Sequence, residues 1–417
     1  MRGHLPLLVC ALVVSLVSAG SAAAGTIPGQ YIVVLESDAD SGAIAKAHAR
    51  SANADVSHVY RRALNGYAAR LSAAGLKAVR SDPRVAFVSE DRAVRATAQG
   101  LPTGVNRVEG DVSSTQAGNG GGTVSVAAAV IDTGIDVDHP DLNVVGGRNC
   151  STGRSYDDGN GHGTHVAGTM AAKDNAAGVV GLAPGAPLYA VRVLNNNGSG
   201  SWSSVVCGID WVTANAASKG IKVANMSLGG SGSDDGNCGR TNNDALHTAI
   251  CNSVRAGVTY VVAAGNDNSN LGGFVPAAYN EVLTVTAVAD FNGQPGGGAG
   301  WTCRADVDDT AADFSNWTTI GSADVGHTIA APGVCIDSTW KGGGYNAISG
   351  TSMASPHVAG TAQLCIAGPC AGMTPSQVMT RLRSDAASRT ASYGFRDDPN
   401  TPNGSRYYGY LEYAGGY

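Results

Sequence analysis

The chain has 417 residues, 43% of them apolar, 14% charged and 6% aromatic, with a net charge of −6. That length supports a large core or two units of ordinary domain size. Its 58 glycines follow no three-residue repeat, which excludes a collagen-like chain, and no run reaches the roughly 20 apolar residues of a membrane span.

In chain order, residues 1–24 read first, as an export signal. Arg2 supplies positive charge, Leu5 to Val17 is a short apolar stretch, and "SAGSAAAG" offers a small-residue cleavage site near Ala24. Cysteine use agrees with export. Cys10 leaves with the signal, and the eight that remain suggest disulfides formed in an oxidising compartment. Nearness in sequence favours Cys238–Cys251, Cys303–Cys335 and Cys365–Cys370, leaving Cys150 with Cys207, while many other connectivities stay open. No C-x-x-C pair or Cys/His spacing points to zinc.

Residues 25–95 read as a small α/β unit. "YIVVL" is a strand, "SGAIAKAHAR" a helix, "YAARL" a strand, "SAAGLKAVRSDP" a helix stopped by Pro83, and "VAFVSED" a closing strand. Charge divides at the end of this unit. Thr26 to Arg95 holds 10 Lys/Arg against 7 Asp/Glu, whereas Ala96 to Tyr417 holds 16 against 26. A mildly basic first unit is attracted to an acidic body. The acidic body argues against a nucleic-acid partner, because phosphate binding needs a basic surface. "ATAQGLPTGVN" then reads as a linker.

Beyond the linker, "VSVAAAVID", "LYAVRVL", "IKVANMSL", "VTYVVAAGN" and "VLTVTAV" are near-continuous apolar runs, as expected of parallel strands covered on both faces. "GTHVAGTMAA", "SSVVCGIDWVTANAA", "NDALHTAICNSVRAG" and "TSMASPHVAGTAQL" alternate with them at helical spacing. The expected fold is therefore α/β: a doubly wound, mainly parallel sheet flanked by helices, preceded by the small α/β unit. In such sheets ligands collect beyond the carboxyl ends of the strands.

Four polar residues stand at those places. Asp132 ends the first long strand, His165 lies at the start of a helix in "GNGHGTHVAG", Asn266 ends a strand in "VVAAGN", and Ser352 opens the helix of "GTSMASPHVAGTAQL". A serine hydroxyl is a weak nucleophile without a base. His165 is expected to take its proton, and Asp132 to fix the imidazole tautomer. At a helix start the first N–H groups lack partners, so the Ser352 N–H and the Asn266 amide are expected to hold an oxyanion. Pro356 sits near the first turn, where a missing donor does least harm.

In this order, "DTGID", "GHGTHVAG", "SLGG", "AAGN" and "GTSMASPHVAG" resemble the subtilisin-like serine proteases, with surroundings closest to the proteinase K branch. The resemblance implies a secreted endopeptidase over 96–417, with no cofactor needed for the chemistry. It implies that 25–95 is an inhibitory pro-segment, cut off by the enzyme itself between Arg95 and Gly100. By motif, Gly198, Ser199 and Gly200 face Ser227, Leu228 and Gly229 across an extended peptide. Ala263, Ala264, Gly265 and Phe274 line the side-chain pocket, which implies broad specificity with an apolar or aromatic preference. The expected partners are protein or peptide substrates and the chain's own pro-segment, with the enzyme a monomer.

Structural calcium is the one metal the family suggests. Thr328 stands where relatives often carry a calcium-binding Asp, and the acidic loop Asp306, Asp308, Asp309 and Asp313 is either a cation site or a solvated loop. Two rival readings have specific tests. His162 and His165 share a helix face and would serve a metallohydrolase, but "HGTH" lacks the Glu of H-E-x-x-H and has no evident third ligand. A non-catalytic binding module on the same fold would lack one member of the Asp, His, Ser set.

Overall fold

The computed structural model describes residues 26–92 and 99–417, so the expected export signal and most of the expected cleavage region lie outside the described residues. The described chain forms two compact units, one on each side of that gap.

The first unit runs β1 (Thr26–Leu35), α1 (Ser41–Ser51), β2 (Asp55–Arg61), β3 (Asn65–Arg70), α2 (Ala73–Arg80) and β4 (Val85–Arg92). Its antiparallel sheet has the order β2-β3-β1-β4 and packs Val33, Leu35 and Tyr67 against Ile44 and Val79 of the two helices. Asp40 and Ser72 cap those helices by accepting from backbone N–H groups of their first turns. Strand β2 was not expected from sequence. It is an edge strand, and a register shift between Val56 and His58 breaks the alternation that would mark it.

The second unit opens with the short helix α3 (Thr103–Arg107), then β5 (Ala127–Asp132), β6 (Val144–Asn149), α4 (His162–Ala171), β7 (Leu188–Arg192) and α5 (Trp202–Lys219). Next come β8 (Ile221–Met226), β9 (Gly230–Ser231), α6 (Ala245–Arg255), β10 (Thr259–Ala263), β11 (Phe274–Val275) and β12 (Leu283–Ala289). Two short strands follow, β13 (Thr310–Ala311) and β14 (Thr318–Thr319), then β15 (Thr328–Pro332). The hairpin β16 (Ile336–Trp340) and β17 (Gly344–Ile348) precedes α7 (Thr351–Ala367), α8 (Pro375–Ala387) and β18 (Arg406–Tyr407).

The main sheet has the order β13-β12-β10-β8-β5-β7-β6, with β15 also paired to β12. Every pairing in it is parallel except β12 with β13. Strand β5 lies between β7 and β8, so the chain fills one side of β5 and then crosses to the other. That reversal is the switch point at which open α/β sheets bind ligands. One core, including Val130, Met170, Leu182, Val261 and Val358, packs α4 and α7 on one face. The other, including Ile131, Ile209, Ile250 and Val262, packs α5 and α6 on the opposite face. The expected doubly wound α/β architecture is the observed one.

All eight cysteines of this unit are paired, as Cys150–Cys207, Cys238–Cys251, Cys303–Cys335 and Cys365–Cys370. Their Cα–Cα distances of 4.9–5.9 Å suit a bridge. A buried ionic knot ties the start of the second unit to its C-terminal segment. Arg107 donates to Asp309 and to the carbonyls of Tyr393 and Gly394, and lies 3.3 Å from Asp290. It thus joins α3 to the C-terminal segment, far from it in sequence.

Removing one partner of a buried ion pair strands the rest. Arg107→Ala in the Ser352→Ala background is expected to lose about 3–5 kcal/mol, read from the urea unfolding midpoint.

Candidate active site

Asp132 is fully buried at the carboxyl end of β5. Its Oδ1 accepts the Thr133 N–H at 2.7 Å and lies 2.7 Å from His162 Nδ1. Because a carboxylate only accepts here, Nδ1 carries the hydrogen and Nε2 keeps its lone pair. Burial opposes charge on this ring, but the field and hydrogen bond of Asp132, with the field of Asp158, outweigh it and raise its pKa above the ordinary histidine value. The ring is a quarter exposed and lines a cleft of about 690 Å³.

His165, the residue expected to partner Asp132, points elsewhere. It is fully buried, and its Nε2 lies 2.9 Å from Ile336 O and 3.1 Å from Asn346 O, under the β16–β17 hairpin. Burial chiefly, with little compensation, lowers its pKa to about 3, so the ring is neutral. The expectation for His165 is therefore corrected: three residues along α4 turn its side chain away from Asp132 and into the hairpin. The same geometry removes the metal-pair reading, since the two rings serve different partners.

The missed signal was the glycine on each side of His162. A Cβ on Gly163 would collide with Gly134 O, and one on Gly161 with the Trp340 ring. Only bare backbone lets this helix start come so close to β5. Asp158, also missed, holds that start in place. Its Oδ1 accepts from the Asn160 and Gly161 N–H groups and from Thr133 Oγ1, and its Oδ2 from the Thr164 N–H and hydroxyl.

Ser352 is the second residue of α7. Pro356 lies inside this helix and offers no N–H to the carbonyl four residues earlier, which is that of Ser352. Ser227 Oγ fills the vacancy, donating to Ser352 O at 2.8 Å. In return, Ser352 Oγ donates to Ser227 O at 3.3 Å. Asn225 and Ser355 extend the network, with Asn225 Nδ2 3.0 Å from Ser227 Oγ and Ser355 Oγ 2.7 Å from Asn225 Oδ1. The helix start is thereby fastened to the end of β8.

Asn266 follows β10. Its Oδ1 accepts both the N–H and the hydroxyl of Thr351, at 2.8 and 2.9 Å, which fixes the amide orientation. Its Nδ2 then faces the same space as the Ser352 N–H. The point where a Cβ on Gly350 would sit is 3.6 Å from both nitrogens. The buried Asn316, also missed from sequence, supports the Asn266 loop by accepting from Asp267 N and Ser269 N and donating to Ala264 O.

The cleft beside His162 is lined by Gly198, Ser199 and Gly200 on one side and Ser227, Leu228 and Gly229 on the other. Neither stretch belongs to a regular strand. Phe274 packs where Cβ atoms on Gly229 and Gly265 would be, so it lies between those two backbones. Ala263 and Ala264 are buried beside it at the end of β10.

Most carboxylates of the acidic loop are bonded to the protein itself, while Asp313 stays 70% exposed. Asp308 accepts the Phe291 and Ala299 N–H groups, Asp309 binds Arg107 and the Gly297 N–H, and Arg304 pairs with Asp306 and Asp313. Thr328 is buried at the start of β15, its hydroxyl donating to Asp324 O at 2.7 Å. Asp141 is buried, and its carboxylate accepts from Asn175 Nδ2, Val179 N–H and Tyr345 OH. Beside it, Gln99 Nε2 donates to both Lys173 O and Val179 O.

Comparison with known proteins places the chain in a family. Residues 123–410 match the model of the subtilase family, and residues 30–97 that of the peptidase inhibitor I9 family. The chain is 40% identical over 329 residues to subtilisin NAT of Bacillus subtilis subsp. natto, covering 78% of this chain and 76% of that protein. It is 41% identical over 302 residues to subtilisin DY of Bacillus licheniformis, covering 71% and 95%. A solved structure, of a cold-adapted subtilisin-like serine proteinase, matches with a TM-score of 0.56 at 32% identity, over 75% of this chain and 97% of that one. The chain therefore belongs to the subtilase family, as a serine endopeptidase preceded by an I9-type inhibitor domain.

Proposed function

We propose that this is an exported protease of the proteinase K-like branch, freed from its pro-segment by its own cut near residue 96, in which His162 is the base. The observation that carries the reading is the Asp132–His162 bond beside a cleft whose lining residue Ser227 accepts a hydrogen bond from Ser352 Oγ. Ser352 Oγ attacks the peptide carbonyl carbon as its proton passes to His162 Nε2. The resulting oxyanion lies between Asn266 Nδ2 and the Ser352 N–H. Collapse expels the amine, which takes the proton from His162, and water then hydrolyses the Ser352 ester by the reverse proton route.

Substrate specificity follows from what lines the cleft. Gly198 to Gly200 and Ser227 to Gly229 would hold a peptide chiefly through its backbone, which tolerates varied side chains. The pocket of Ala263, Ala264, Gly265 and Phe274 favours an apolar or aromatic residue before the scissile bond. Four disulfides and the 1–24 signal support an extracellular site of action for a monomeric enzyme. Any structural calcium ion would take no part in this chemistry, which needs no cofactor.

Three outcomes test the reading. Ser352→Ala is expected to accumulate as the full-length precursor, whereas the wild type is trimmed near residue 96, as seen by N-terminal sequencing. His162→Ala should lower kcat by about 10⁴-fold or more, while His165→Gln costs mainly thermal stability. Peptidase rates that follow His165 instead would defeat the assignment. Because the His162 pKa is raised, the acid limb of kcat/KM should have its midpoint above about 6.5. Below that midpoint the ring already holds a proton and cannot accept another.

A further inference from the structure

His247 of α6 is fully buried, and the catalytic reading gives it no work. Its ring stacks on Tyr279 at 4.0 Å with planes 3° apart, which fixes its orientation. Its Nε2 lies 2.8 Å from Glu281 Oε2. Its Nδ1 is buried without a hydrogen-bond partner, yet points at two carboxylate oxygens, Asp234 Oδ1 and Asp235 Oδ1, each 3.5 Å away.

That spacing is long for a hydrogen bond between a ring nitrogen and a carboxylate, where about 2.8 Å is usual. It matches the edge of a metal tetrahedron. With bonds of about 2.0–2.1 Å, neighbouring ligands around zinc stand roughly 3.4 Å apart. We propose that Asp234, Asp235 and His247 Nδ1 form a binding site for a divalent transition-metal ion of the zinc class, with a fourth position open to solvent.

The surroundings are those of a prepared site. A histidine that binds metal through one nitrogen usually gives its other N–H to a carboxylate, which orients the ring and strengthens it as a ligand. Glu281 occupies that place. The carboxylates are themselves held in place, Asp234 Oδ1 by the Gly236 N–H at 2.8 Å and its Oδ2 by Asn280 Nδ2, Asp235 Oδ1 by the Asn237 and Gly239 N–H groups at 2.8 and 2.9 Å and its Oδ2 by those of Thr241 and Asn242. The imidazole selects zinc-class ions over calcium or magnesium, which prefer oxygen alone. Asp234 is 15% exposed at its side chain, which gives an ion a way in. Among the described residues the other cluster of metal-ligating types uses Cys238 and Cys251, whose sulfurs are bonded to each other.

The site also has a place in the protease. Asp234 and Asp235 follow β9, and Tyr279 and Glu281 follow β11. Those two strands pair Phe274 with Ser231 and Val275 with Gly230, next to Gly229 of the cleft. An ion held on His247 would tie down the segment leaving β9, while Glu281 ties down the segment leaving β11. The metal would therefore stiffen one wall of the substrate cleft without taking part in the chemistry.

The test uses the full chain carrying Ser352→Ala, stripped of metal with a chelator and titrated with Zn²⁺ by calorimetry, with Ca²⁺ as a parallel arm. One zinc per chain is expected, with affinity at least about tenfold weaker in Asp234→Asn and unchanged in His162→Ala. Tm should rise by about 3–6 °C at a hundredfold excess over Kd. His247→Gln should abolish binding. If either variant fails to fold, Co²⁺ added to the otherwise unaltered chain reads the site directly, through the visible bands of a tetrahedral ion. Absence of zinc binding, zinc binding indifferent to Asp234→Asn, preference for Ca²⁺, or a colourless cobalt complex would each overturn the proposal.

Discussion

Two helices, α4 and α7, begin at the carboxyl edge of one parallel sheet, and the site depends on how closely their first turns can approach it. Side chains would forbid that approach. A Cβ on Gly163 meets Gly134 O, and one on Gly360 meets Leu182 and Met170 across the α4–α7 contact. Where glycine and alanine permit contact, polar side chains then lock it: Asp158 at the start of α4, and Ser227 with Asn225 at the start of α7. The site is preorganised by bonds that belong to the fold rather than to any substrate.

The same economy explains Pro356. A proline inside a helix normally costs a hydrogen bond and strains the preceding turn. Here the carbonyl it leaves unpaired is that of Ser352, and the Ser227 hydroxyl takes it up. The defect in α7 therefore becomes the link between the start of that helix and the stretch after β8 that lines the cleft. His357, the next residue, is buried and bonded to Met353 O, and burial lowers its pKa to about 4. It packs the helix and stays neutral.

Charge is handled differently in the acidic regions. Between residues 306 and 313 the carboxylates are consumed by Arg107, Arg304 and backbone donors, and this closes the C-terminal segment over α3. Around His247, backbone N–H groups and the Asn280 amide hold the two carboxylates, and both Oδ1 atoms still face an unpartnered ring nitrogen. Two clusters of similar composition thus differ in what they leave unmet. Composition cannot show this, because it depends on where a loop's N–H groups point.

The sequence alone determined the architecture, since buried parallel strands must be apolar throughout and their helices must keep a 3.6-residue period. It placed Asp132, Asn266 and Ser352 at or just beyond strand ends and helix starts, and nearness along the chain selected three of the cysteine pairs found in the structure, leaving Cys150–Cys207 as the fourth. It missed β2, where a register shift erased the alternation, and it selected His165 over His162. Both histidines open the same helix, and a linear motif does not say which ring faces β5. Only the packing of α4 between β5 and the β16–β17 hairpin decided it, giving one ring the buried carboxylate and the other two backbone carbonyls.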